Sequence, residues 1–493
     1  MIRVPKLKLA VGLAIDGPAA VFVAASVLLV GLLFPDVASA HALVGRKDLP
    51  VPAWLFAWGA SLVLIISFAL LSVAWTTARL QKEAWRPTPR WFSRGVLNPL
   101  TQVVCGLVGV FLLFLVLYAG FRGIEDPTHN FSIIFVFYTF WLGMVVLSVL
   151  LGDVFRAFNP WRAIGRVVSG GFRLVAGQSA PTPFRYPEWL GRWPAVLGVL
   201  LFVWLELIAG GGIAPTPHKV AVATVIYTTI TFVCMALFGV EEWIGRGEAF
   251  NAYFGMFSQL GPLERRDDRV GLRKFLTGVP QWALVPGAAA LVLTSIAVTS
   301  FDGAQEGVLS GAITWTFDRC SDAGLSLPNS FRVANTIWLL IMLAAVSGLY
   351  WLGVAGMHTV RGSPAVKQLG RSFAHSLIPI ALAYLVAHYF SAFLYQEQAQ
   401  FTYILSDPLG HGSDLFGTAG GGINYGIVSS NTVWYVQVGA LVVGHVVALT
   451  LAHDRALAVY DNVRNASRSQ YFMLAVMVAF TCFGLFLLSQ ANA

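Results

Sequence analysis

The stretch Trp193-Pro-Ala-Val-Leu-Gly-Val-Leu-Leu-Phe-Val-Trp-Leu-Glu206-Leu-Ile-Ala-Gly-Gly-Gly-Ile213 decides the fold class. It is one continuous apolar run interrupted by a single charge, Glu206. A run of about 20 apolar residues is what a helix needs to cross a bilayer, where backbone amides find no water to bond. Ten such runs are expected, near 53–75, 99–121, 131–155, 193–213, 219–243, 281–300, 331–357, 373–395, 432–453 and 470–490. They are unbroken rather than alternating, which argues against an outer-membrane barrel.

Composition points the same way. Of 493 residues, 57% are hydrophobic and only 11% charged. A soluble domain carries about 25% charged residues. Too few charges are present to coat a water-soluble enzyme, and the apolar content excludes a disordered chain. The net charge of +8 does not indicate nucleic acid here. Lys and Arg concentrate in alternate loops, as the cytoplasmic bias of basic residues requires. Loops 76–98, 156–192, 244–280, 358–372 and 454–469 hold 23 of the 32. The opposite loops hold 6, and the first 40 residues hold 3.

Residues 1–40 read as an export signal: basic Arg3, Lys6 and Lys8, an apolar stretch from Pro18 to Phe34, then Ala38-Ser39-Ala40. Cleavage there would make His41 the N-terminus. An uncleaved first helix is the alternative and would raise the count of crossings to eleven. The expected architecture is an all-α polytopic transmembrane helix bundle in a bacterial inner membrane. Residues 41–493 form its ten-helix domain, with both termini outside and long outer loops at 301–330 and 396–431. The stretch Gly245–Gly261, with Phe250, Tyr253, Phe254 and Phe257, is expected to be an amphipathic helix on the membrane surface. Cys105, Cys234, Cys320 and Cys482 form no disulfide framework.

Ionisable residues within the apolar runs are the candidate site. A carboxylate in lipid is costly and usually faces the bundle interior or a water-filled cavity. Glu206 and His388 each lie about seven residues from the outer end of a run, roughly 10 Å below the outer surface. They could meet in one polar pocket opening outward, with Tyr384 one turn below His388 on the same face. The alternative is a helix–helix hydrogen bond with no chemistry. His445 lies near mid-membrane, and Gly444 beside it would allow close helix contact.

A second group suits a divalent metal. Loop 396–431 has no Lys or Arg but contains Asp407, His411 and Asp414, oxygen and imidazole ligands within eight residues. Asp407-Pro408 also reads as a turn and Asp414 as a cap. An N-terminal His41 would add an amine and an imidazole suited to copper or zinc, with His129 completing the set. Phosphate-binding loops, His-Glu-x-x-His and Cys-x-x-Cys are absent from the sequence.

Several stretches resemble a family of bacterial membrane proteins named for fenitrothion hydrolase. They are His41-Ala-Leu-Val-Gly-Arg-Lys-Asp-Leu-Pro50 with Trp54–Trp58, Gly152–Arg162, Ser406–Gly417, and Trp434–Gln437 through Gly444-His445 to Ala452–Arg455. The resemblance implies hydrolysis of an apolar organophosphorus ester to release a nitrophenol, with a second membrane subunit. It carries over no catalytic residue. His41-Ala-Leu-Val44 after Ala38-Ser-Ala40 is also similar to the start of copper-resistance periplasmic proteins, which implies a copper ligand at His41. Three functions stay open: a membrane-embedded hydrolase of small apolar esters, a transporter or metal-handling permease, and a non-catalytic subunit of a membrane complex.

Overall fold

The computed structural model describes residues 53–82, 84–177 and 182–491. The signal stretch and His41 lie outside the described residues. The chain is a mostly helical bundle. Its helices are α1 (Ala53–Ala74), α2 (Arg90–Leu97), α3 (Pro99–Arg122), α4 (Phe131–Leu151), α5 (Phe155–Phe158), α6 (Pro160–Ala176) and α7 (Trp193–Leu207). Next come α8 (Pro217–Phe238), α9 (Val240–Arg246), α10 (Ala249–Phe257), α11 (Ala288–Gln305) and α12 (Ser310–Asp322). The rest are α13 (Leu327–His358), α14 (Val366–Phe373), α15 (Ile378–Ala399), α16 (Ser430–Val459) and α17 (Val463–Ala491).

Among the described residues, eight helices are long and apolar enough to cross a membrane, and Trp58–Ala74 and Trp193–Leu207 are shorter apolar helices. Each of the ten expected runs corresponds to one of these. Local signals set several starts. Asn98 and Asn159 each cap a helix whose first residue is proline, accepting from the amides of Leu100 and Arg162. Proline costs nothing at that position, because its missing N–H would have had no partner. Helices approach closely where side chains are smallest. A Cβ on Gly120 of α3 would lie 2.6 Å from the Cβ of Ala221 on α8.

Three features depart from the sequence expectations. A small antiparallel sheet joins β1 (Trp85–Pro87), β3 (Arg269–Arg273) and β2 (Leu263–Arg266), in that order. The 301–330 segment is mostly helical, since α11 runs on to Gln305 and α12 follows. Finally, α10 is not a surface helix: Phe250, Tyr253, Phe254 and Phe257 are all buried. Tyr253 stacks on Trp141 with ring centroids 4.1 Å apart, so the aromatic face meets protein rather than lipid.

The connecting segments pack into two groups. In one, β1–β3 pairing joins segment 85–87 to 269–273. Arg162 and Arg156 meet Glu241 at 3.0 and 3.1 Å. Asp454 accepts from Trp75 Nε1 (2.9 Å), the amides of Arg79 (2.6 Å) and Leu80 (3.1 Å), and Gln81 Nε2 (2.8 Å). Asn465 donates to the Arg361 carbonyl at 3.0 Å. In the other group, the Ile124 amide donates to the Leu409 carbonyl (2.9 Å) and the Phe131 amide to that of Pro408 (3.0 Å). There too, Arg332 Nε donates to the Ala209 carbonyl at 3.0 Å.

Candidate functional site

Helix α11 lies deep in the bundle, packed against α7, α13 and α15. Its last turn carries Asp302. One oxygen, Oδ2, accepts from His388 Nε2 at 2.8 Å and from the Tyr389 hydroxyl at 2.5 Å. The other, Oδ1, accepts from Gln305 Nε2 at 2.9 Å. His388 and Tyr389 are consecutive on α15, so one turn of that helix presents both donors.

Glu206 ends α7 and lies within electrostatic range of Asp302, Tyr138, Tyr253 and Tyr389. Its Oε2 is buried without a hydrogen-bond partner. Both carboxylates therefore sit in the last turn of a helix, where the backbone dipole is negative and draws positive charge. His388 is the cation-forming group placed to answer it. Tyr138 belongs to a π-helical stretch of α4, Phe135–Gly143, against which α15 packs. Such wide turns are rare and recur at functional sites.

The cluster is not sealed: the His388 side chain is 29% exposed and Asp302 13%. A carboxylate can only accept, so Nε2 of His388 carries the shared hydrogen. In the neutral imidazole that leaves Nδ1 as the basic nitrogen. Nδ1 faces Gly303, where an added Cβ would sit 3.4 Å away. The arrangement can take a proton on Nδ1 and hold the resulting imidazolium against Asp302.

The expected site residues separate into distinct places. His388 bonds the Asp302 carboxylate, and Glu206 lies within electrostatic range of it. Tyr384 points elsewhere, donating to the Phe480 carbonyl of α17 at 2.6 Å. Its ring lies 6.2 Å from that of His445, whose Nδ1 is bonded to the Leu441 carbonyl at 2.7 Å. Tyr384 and His445 thus form a second, buried pair away from the Asp302 carboxylate. As expected, Gly444 lets the helices close: a Cβ there would lie 2.4 Å from that of Ala383.

The described metal candidates lie on two adjoining turns, with the carboxylates of Asp126, Asp407 and Asp414 bonded locally. His129 Nδ1 pairs with Asp126 at 3.0 Å on an exposed turn. Asp407 accepts from the His411 amide (3.1 Å), the Gly412 amide (2.6 Å) and the Ser413 hydroxyl (2.7 Å). Burial alone would raise its carboxyl, but these donors outweigh that and hold it below the ordinary value. Asp414 is likewise held low, by the Ala419 amide (3.0 Å) and the Ser406 hydroxyl (2.8 Å). Both carboxylates are committed to folding their own loop. Among the described residues, no group of three or more His, Cys, Asp or Glu is placed to hold a metal ion. His41, the first ligand of the expected copper or zinc set, falls outside the described residues.

Asp302 and Tyr389 were not singled out from the sequence. Asp302 lies just past the expected end of its apolar run at 300, and an aspartate at a helix end reads as a loop residue. A clue was available in the adjacent His388-Tyr389 pair, two hydrogen-bonding side chains in an apolar helix.

No protein-family model, no curated protein and no solved structure matches the chain.

Proposed function

We propose that this integral membrane protein uses Asp302–His388 as an acid–base centre to hydrolyse a small apolar ester. The observation that carries the reading is the 2.8 Å bond from His388 Nε2 to a carboxylate that also accepts from Tyr389 and Gln305. A water on Nδ1 would attack phosphorus as its proton passes to the ring. Asp302 stabilises the imidazolium, and the phosphorus–oxygen bond breaks to release a phenolate. An acidic phenol leaves readily, so the leaving group needs little proton donation. Apolar phosphotriesters partition into lipid, which suits a centre borne on membrane helices. The likeness to the fenitrothion hydrolase family points to this substrate class and to a second membrane subunit.

The reading includes ten crossings of a bacterial inner membrane with both described ends outside. Its support is the grouping of connections: 76–98, 156–192, 244–280, 358–372 and 454–469 contact one another, and the 122–130 turn contacts the 396–431 loop. These are the same two sets that the distribution of Lys and Arg separates.

The test uses the purified full chain in phosphatidylcholine vesicles with a nitrophenyl phosphotriester, following nitrophenolate by absorbance. His388→Ala should lower release by about 10²–10⁴-fold. Release by the wild type that His388→Ala leaves unchanged would remove the reading. The unpartnered Glu206 carboxylate oxygen favours one other function, proton-coupled transport through the same centre. Proteoliposomes that acidify without ester hydrolysis, and stop doing so in Glu206→Gln, would select it.

A further inference from the structure

A groove of about 540 Å³ opens on the bundle, well apart in composition from the Asp302 cluster. That volume lies within the about 300–1,000 Å³ typical of ligand sites. Its walls are apolar: Val149 and Leu150 from the end of α4, Leu382 and Val386 from α15, Val443 and Val447 from α16. The close approach of Gly444 to Ala383 brings α16 onto α15 along its length. One end is different. There the sheet hairpin contributes Arg273 and Lys274 to the lining.

We propose that this groove binds an anionic phospholipid of the surrounding bilayer, with an acyl chain between α4, α15 and α16 and the phosphate on Lys274 and Arg273. Three observations select this occupant. Val443 is 62% exposed and Phe275 71%, so the groove is open at its side, where lipid would enter. Arg273 spends its hydrogen bonds on uncharged oxygens, those of Ser258 (2.6 Å), Gly261 (3.0 Å) and Gln259 (3.3 Å). Its Nε is buried without a partner. Glu264 and Asp153 lie within electrostatic range of Arg273 and offset part of its charge, but Lys274 is exposed beside it. An apolar trough ending in two cations matches an amphiphile with an anionic head. A neutral lipid would leave Lys274 unanswered and Arg273 only partly answered, and a soluble anion would leave the trough unfilled. The groove uses no residue of the proposed acid–base centre, so the two proposals stand or fall separately.

The experiment titrates the full chain, purified in a neutral detergent, with dioleoyl-phosphatidylglycerol or dioleoyl-phosphatidylcholine and counts bound lipid by native mass spectrometry. The wild type should prefer phosphatidylglycerol. Lys274→Gln should weaken that binding by about fivefold, the worth of one basic residue near an anionic lipid. Val443→Trp, at an exposed position, should block the trough and lower occupancy by both lipids. Equal affinity of the wild type for the two lipids overturns the proposal. So does a phosphatidylglycerol preference that survives both variants, or binding of oleate without binding of phosphatidylglycerol. Thermal melting of each variant without lipid establishes that it is folded.

Discussion

Three side chains converge on one carboxylate at Asp302, and the chemistry of the centre depends on how they share it. His388 and Tyr389 reach the same oxygen, while Gln305 holds the other. Removing one donor weakens the arrangement without dissolving it. Tyr389→Phe should cost about 1.5–3 kcal/mol, the worth of a hydrogen bond to a charged group, and a thermal melt in detergent would measure it. Tyr384→Phe loses bonds only to the backbone of α17, so ester hydrolysis should stay within a few-fold of wild type. A large loss of rate there would place Tyr384 in the chemistry. Sequence depth alone brought Glu206 and His388 to attention, because a polar group in an apolar run has few reasons to exist. Depth could not show that a third residue, Asp302, bonds His388 and lies within electrostatic range of Glu206. That relation is set by the packing of α7, α11 and α15, which no local pattern encodes.

At the scale of elements, single acids fasten helices to the segments between them. Asp454 on α16 collects four donors from residues 75–81 and is fully buried. Asp454→Ala would leave those donors without an acceptor, and we expect a loss of about 3 kcal/mol or more, seen as a lower melting temperature. An unchanged melt would mean that water replaces the carboxylate. Glu241 links α9 to α6 differently. Burial alone would raise its carboxyl, but Arg162 and Arg156 outweigh that and hold it below the ordinary value. A lowered folded value means that its stabilisation is present above the unfolded value of about 4.3 and lost as pH falls through the folded one. Glu241→Gln should therefore melt below wild type at pH 7, and the gap should close below about pH 4. The carboxylate is 47% exposed, so the gap should be under about 1 kcal/mol. The apolar helices were legible in the sequence because lipid imposes one period and one length on them. Helix α12 was not, since Ser310–Asp322 has no apolar run, and it packs against α13. Nor was the burial of α10, because an aromatic face suits a bilayer surface and a protein core equally.

For the whole molecule, the pairing of connecting segments is the strongest constraint on topology. Among the described residues, connecting segments far apart in sequence meet within each set, as Trp75–Gln81 with Asp454 and Ile124 with Leu409 illustrate. Cysteine placed at Ser413 should react with an impermeant maleimide in intact cells. Cysteine placed at Arg361 should react only after permeabilisation. Labelling of both from one side would contradict the alternation. The distribution of Lys and Arg separates the same two sets of connections in the sequence, whereas the partners of the buried polar groups were not legible there. The central claim is that Asp302 tunes His388 as a base, and Asp302→Asn tests it most directly. Asparagine keeps the shape and one acceptor oxygen, puts an amide nitrogen in place of the other, and removes the charge that stabilises an imidazolium. Nitrophenolate release should fall by about 10²–10⁴-fold with the protein still folded. A folded Asp302→Asn protein that releases nitrophenolate at the wild-type rate would contradict it.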